Sequence, residues 1–113
     1  MNKICTSLEQ SQKLLELGID INTADMFYTI IDQGLYLEVK QGIEPSKDDI
    51  PCWSLAALLD ILPDRTCVYK KTCKDGRVKY KGVVKGCKEL ILKDNAVDAC
   101  YEMIIKLHEL NLL

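Results

Sequence analysis

Asp75-Gly76 stands between two segments of alternating polarity, residues 66–73 and 78–84. Asp-Gly is the preferred pair for a two-residue type I′ turn, because both central residues of that turn need a positive φ. The dipeptide therefore predicts a β-hairpin, and the turn type sets its register. Cys73 falls opposite Val78, Lys71 opposite Tyr80, Tyr69 opposite Gly82 and Cys67 opposite Val84. These eight form one face, apolar apart from Lys71. The other face carries Lys70, Lys74, Arg77, Lys79 and Lys81, with Val68, Thr72 and Val83.

That basic face belongs to a wider segregation of charge. Residues 65–93 hold ten Lys or Arg and two acids, Asp75 and Glu89, for a local charge of +8. The five bases and fifteen acids elsewhere make the remainder −10. A basic ribbon on an acidic body suits a polyanion, an acidic protein surface or another part of its own body. Its tyrosines, Tyr69 and Tyr80, are expected on the opposite face. Base-stacking platforms need aromatics and cations together, so nucleic acid is the second choice of partner; the plain alternative to any partner is a solvated sheet face whose lysines discourage edge pairing.

The rest of the chain reads as short elements. A helix is expected over residues 7–17, capped by Thr6 or Ser7 with Glu9 and Gln10 three residues on, and closed by Gly18 with Ile19 folding back. Residues 26–31 and 35–40 read as a first hairpin with Gln33 and Gly34 at the centre of its turn. Met26, Tyr28, Ile30, Leu35, Leu37 and Val39 would then share the core face. A polar loop follows over residues 41–49. A second helix over residues 52–62 has Asp60 as its one polar residue after Leu55, so it must be covered on nearly every side. Pro63 stops it. A strand over residues 89–93 follows a break at Gly86, and Asn95 caps a final helix. The expected fold is α+β in the order α-ββ-α-βββ-α. It is a single domain with one antiparallel sheet of about five strands and the helices on one face. A length of 113 residues suits one domain.

Candidate chemistry is sparse. Cys5, Cys52, Cys67, Cys73, Cys87 and Cys100 contain no C-x-x-C pair, so buried free thiols are expected rather than zinc. Asp20, Asn22, Thr23 and Asp25 lack the spacing of a calcium loop and read as turn and capping residues. His108, near the end of the last helix, has no catalytic motif around it. Trp53 is expected to anchor the core; the alternative is a small enzyme with a pocket beside it. No cofactor, metal or membrane partner is expected. The N-terminus turns polar at once, without the apolar core of a signal peptide, which points to the cytoplasm and reduced cysteines.

Three stretches carry a resemblance. They are Thr23-Ala24-Asp25-Met26 with Tyr28; Ile50-Pro51-Cys52-Trp53-Ser54-Leu55-Ala56-Ala57-Leu58-Leu59-Asp60-Ile61-Leu62-Pro63; and residues 95–113. Together they resemble a family of short uncharacterised proteins from gut Bacteroidales genomes, with members in phage and mobile-element contexts. The resemblance implies a bacterial or phage intracellular setting and assigns no activity, ligand or catalytic residue. Related chains often have Pro where Ala96 stands here, which fits Asn95 as a cap. The function expected is non-catalytic: an accessory protein that binds a macromolecule, another copy of itself included, through Lys70, Lys74, Arg77, Lys79 and Lys81.

Overall fold

A computed structural model describes residues 3–42, 44–84 and 89–113. The Gly86 break and the Cys87 thiol lie outside the described residues. Three helices are seen there: α1 (Leu8–Glu16), α2 (Leu55–Ile61) and α3 (Ala96–Glu109). The strands are β1 (Met26–Ile31), β2 (Gly34–Val39), β3 (Ile50–Cys52), β4 (Thr66–Thr72), β5 (Val78–Val84) and β6 (Glu89–Lys93). None of these helices is long and apolar enough to cross a membrane.

Helix α1 starts where its side chains satisfy its own first turn. Ser7 Oγ accepts from the Gln10 backbone N–H, and the Gln10 side chain accepts from the Ser7 N–H. At the far end Gly18 takes φ 86°. Its N–H donates to Leu15 O, and the Ile19 N–H donates to Leu14 O. This paired closure satisfies two of the last carbonyls and needs a left-handed residue, hence glycine.

The fold is α+β and antiparallel, but the expected single sheet is replaced by two. Among the described residues, one sheet has the order β2-β1-β3 and the other β4-β5-β6. The additional strand is Ile50-Pro51-Cys52, which pairs Cys52 with Met26 and Ile50 with Tyr28. Its proline cannot donate to a ladder, so the segment reads as loop in sequence. It is tolerated here because β3 is an edge. The element order becomes α-βββ-α-βββ-α.

The first hairpin turns one residue earlier than expected. Asp32 and Gln33 take φ 49° and 66°, the two left-handed positions of a type I′ turn, and Gly34 enters the strand opposite Ile31. A Cβ on Gly34 would meet the Tyr36 ring at 2.9 Å, a contact that the half-exposed ring can relieve by turning away. The pairing slides by two residues, so each face keeps the side chains expected of it.

One core joins both halves. Leu14, Ala24, Trp53, Ala57, Leu58, Val97, Cys100 and Ile104 form a buried cluster, with Val68 of β4 against it. Helix α3 contacts α2 and all three strands of the second sheet. It rides close on β5, where a Cβ on Gly82 would fall 2.5 Å from Met103 Cγ. A smaller cluster of Cys5, Met26 and Cys52, flanked by Tyr28 and Leu37, lies under the first sheet.

Candidate macromolecule-binding face

The second hairpin is closed by a three-residue loop, Lys74-Asp75-Gly76. The Cys73 N–H donates to Arg77 O at 2.8 Å, and the Gly76 N–H donates to Cys73 O at 2.9 Å. Gly76 takes φ 85° and Asp75 does not take a positive φ. This is a turn followed by a left-handed glycine bulge, the usual three-residue solution, rather than type I′. Asp75 supports it by accepting from the Arg77 N–H at 3.0 Å.

One extra loop residue shifts the register by one. Thr72 pairs with Val78, Lys71 with Lys79, Lys70 with Tyr80, Tyr69 with Lys81, Val68 with Gly82 and Cys67 with Val83. A shift of one turns every side chain of a strand to the opposite side. Strand β5 keeps its expected sorting and β4 inverts. The inner face, towards α3, holds Val68, Lys70, Tyr80 and Gly82. The outer face holds Cys67, Tyr69, Lys71, Cys73, Arg77, Lys79, Lys81 and Val83.

The five expected contact residues are therefore divided. Arg77, Lys79 and Lys81 share the outer face. Lys74 stands in the loop, and Lys70 lies on the inner side opposite Tyr80. Lys71 and Tyr69, assigned to the core side by the shorter turn, take their place on the outer face. Tyr69 is 44% exposed and faces Lys81 across the ladder. Aromatic and cationic side chains thus lie together, contrary to the expectation.

The face is not bare charge. Lys79 Nζ donates to Asp94 Oδ1, past the end of β6, and its side chain is 25% exposed. The Lys79 hydrogen bond and charge hold the Asp94 carboxyl below the usual range, with Arg77 helping. Lys81 also interacts within the chain. At the other end of the outer face, Arg65, Thr66, Cys67 and Val83 line a shallow apolar depression of about 390 Å³. The face thus runs from a cationic tip to an apolar base.

Trp53, the anchor of the enzyme alternative, is fully buried. Its Nε1 donates to Thr23 Oγ1 at 2.9 Å. The polar cluster after α1 serves the backbone. Asp20 caps the short 3₁₀ turn Ile21–Thr23. Asp25 accepts from both the N–H and the hydroxyl of Ser54, the residue that caps α2. Cys5, Cys52 and Cys100 are buried free thiols, whereas Cys67 is exposed and Cys73 half-buried. Burial pushes the Cys52 thiol up, reinforced by the adjacent Cys5, and pushes Cys100 to about 11. His108 is half-buried on α3.

The N-terminal segment is held by a separate polar junction. Lys3 Nζ donates to Asp98 Oδ1 and Gln10 Oε1, both at 2.8 Å, and Gln10 Nε2 donates to the same Asp98 oxygen at 2.8 Å. Asn95 Nδ2 donates to the other Asp98 oxygen. Burial pushes the Asp98 carboxyl up, but these hydrogen bonds prevail and hold it below its ordinary value. Compared with protein-family models, curated proteins and solved structures, the chain gives no match.

Proposed function

We propose that this chain is a non-catalytic binding protein that docks an acidic protein surface on the outer face of β4 and β5. The observation that supports this most is the pairing of Lys71 with Lys79. Like charges directly opposite each other on a ladder destabilise it, and on the same face this pair has Arg77 two rungs away towards the loop and Lys81 two rungs away towards the base. Asp94 already offsets part of that repulsion at Lys79, and an incoming carboxylate offsets the remainder at Lys71 and Arg77. Lys71, Arg77, Lys79 and Lys81 are the contact residues in this reading. Lys74 extends them at the tip, and Lys70 is peripheral. A cytoplasmic setting in a bacterium or phage-infected cell belongs to the same reading and draws on the family resemblance.

Tyr69 favours a second reading. A tyrosine beside Lys81 and Lys71 on an open sheet face suits single-stranded nucleic acid, whose bases stack on the ring while phosphates meet the cations.

Titration with poly-L-glutamate and with a single-stranded oligothymidylate, followed by two-dimensional NMR, tests both. The acidic-protein reading expects shifts at Tyr69, Lys71 and Lys79 with polyglutamate, lost in Lys71→Glu. The nucleic-acid reading expects tighter binding of the oligonucleotide, weakening with salt by a log–log slope of about −0.7 for each phosphate engaged. Failure of both polymers to perturb this face rejects the proposal.

A further inference from the structure

Each three-stranded sheet has two edges, and an edge offers unpaired N–H and C=O groups to another strand. Three of the four carry the usual protection. Strand β3 is three residues long and contains Pro51. Strand β4 carries Lys70 and Lys71. Strand β6 meets β5 through a register shift at Gly82/Val83 and ends in Lys93. Strand β2, Gly34-Leu35-Tyr36-Leu37-Glu38-Val39, has no proline, no lysine and no register shift. Among the described residues it pairs with β1 alone.

The direction of its free groups follows from the ladder. The Lys40 N–H donates to Asp25 O at 3.1 Å. Residues alternate along an antiparallel strand, so Glu38, Tyr36 and Gly34 also direct their main chain at β1. Leu35, Leu37 and Val39 direct theirs outward. Leu35 and Val39 are about half exposed, as are Ile31 and Tyr36, and Ile30 is 68% exposed. The open edge and an apolar hairpin tip therefore coincide.

We infer that β2 is a dimerisation edge, pairing antiparallel with β2 of a second copy about a two-fold axis at Leu37. The choice of a second copy rests on self-complementarity, as a two-fold contact requires. With the axis at Leu37, Leu35 of each chain meets Val39 of the other, and the two Leu37 residues meet each other. All three outward-directed positions then exchange main-chain hydrogen bonds. Glu38, the one charge in the strand, falls opposite Tyr36 and not opposite its own copy. Lys40 falls opposite Gly34, so no like charges meet. The product is a six-stranded sheet, β3-β1-β2-β2-β1-β3, with both inner edges removed. This surface is separate from the outer face of β4 and β5, so either assignment stands if the other fails.

Sedimentation velocity over a range of concentrations, with amide hydrogen exchange on the full chain, tests the inference. A reversible monomer–dimer equilibrium is expected. The amides of Leu35, Leu37 and Val39 should slow with concentration, while those of Tyr36 and Glu38, bonded to β1, stay slow throughout. The double variant Leu35→Lys/Val39→Lys sets like charges opposite each other twice and should weaken the dimer at least about tenfold. Leu35→Lys/Val39→Glu sets opposite charges in the same places and should recover it. A monomer up to about 1 mM, a dimer whose three outward amides exchange as in the monomer, or an open-ended assembly would each overturn the two-fold edge contact.

Discussion

Trp53 Nε1 donates to Thr23 Oγ1 at 2.9 Å, and the next residue, Ser54, donates to Asp25 through both its N–H and its hydroxyl. Two adjacent residues at the start of α2 are thereby fixed to two positions just before β1. The ring fills the space among Leu14, Leu58 and Ile104. Trp53→Ala should cost about 3–5 kcal/mol, a large part of the about 5–15 kcal/mol that holds a small domain folded. Urea unfolding followed by far-UV circular dichroism measures it. A loss below about 1 kcal/mol would show that the ring does not anchor the interior.

The junction at Asp98 predicts an acid-labile N-terminal attachment. The folded carboxyl titrates below its unfolded value of about 3.9, so its stabilisation is present above that pH and is lost as pH falls through the folded value. Stability should drop below about pH 4. Asp98→Asn removes the charge at every pH and should cost about 1–2 kcal/mol at pH 7, while flattening this part of the acid limb. An unchanged acid limb in the variant would place the acid sensitivity elsewhere.

Two glycines should fail for different reasons. At Gly76 nothing lies within 4 Å of an added Cβ, but φ is 85°. Gly76→Ala should cost about 1 kcal/mol, and Gly76→Asn less, because Asn tolerates the left-handed region. At Gly82 the obstacle is Met103. Gly82→Ala should cost about 1–3 kcal/mol. Combined with Met103→Ala, its effect should fall well short of the sum of the two single losses. Strict additivity in thermal melts would count against the close approach of α3 to β5.

Thiol reactivity should follow burial. Iodoacetamide at neutral pH, read out by peptide mass, should modify Cys67 first, while Cys5, Cys52 and Cys100 react only on unfolding. Burial keeps the reagent from all three, and at Cys52 and Cys100 it also disfavours the thiolate, the reactive form. Early labelling of Cys100 would mean that α3 opens readily.

Both ends of α1 and the start of α3 were legible because each signal is local, whereas α2 was expected from residue 52 and starts at Leu55 behind a Ser54 cap. Ser7 with Gln10, Gly18 with Ile19, and Asn95 with Asp98 act within one turn of chain, and each occurs as read. Sidedness in the first hairpin survived an error in its turn, since a slip of two residues preserves it, but the expected core face is not buried throughout: Ile30, Leu35 and Val39 are exposed, and Phe27 on the other face is buried. The second hairpin lacked that tolerance. Cys67, Tyr69 and Lys71 compete with Thr66, Val68 and Lys70 for the inner side of β4, and neither set is clearly more apolar. Loop length alone decides between them. Asp75-Gly76 serves a two-residue turn and a three-residue bulged loop equally well. The signal that could have decided was Gly82, which is needed under Met103 and brings Val68, not Tyr69, opposite it. Strand β3 was hidden by Pro51. The split into two sheets depends on which strands meet in space, for which a single sequence holds no local cue.

Three stretches far apart in the chain, residues 23–28, 50–63 and 95–113, find one another in space. Thr23 and Asp25 hold the Trp53-Ser54 pair, and α3 lies against α2 beneath it. These stretches form a chassis, and the β4–β5 ribbon turns its outer face away from it. Because Val68 and Gly82 on its inner side pack against the core and Met103, the ribbon can change polarity only through its outward side chains without disturbing what keeps the molecule upright.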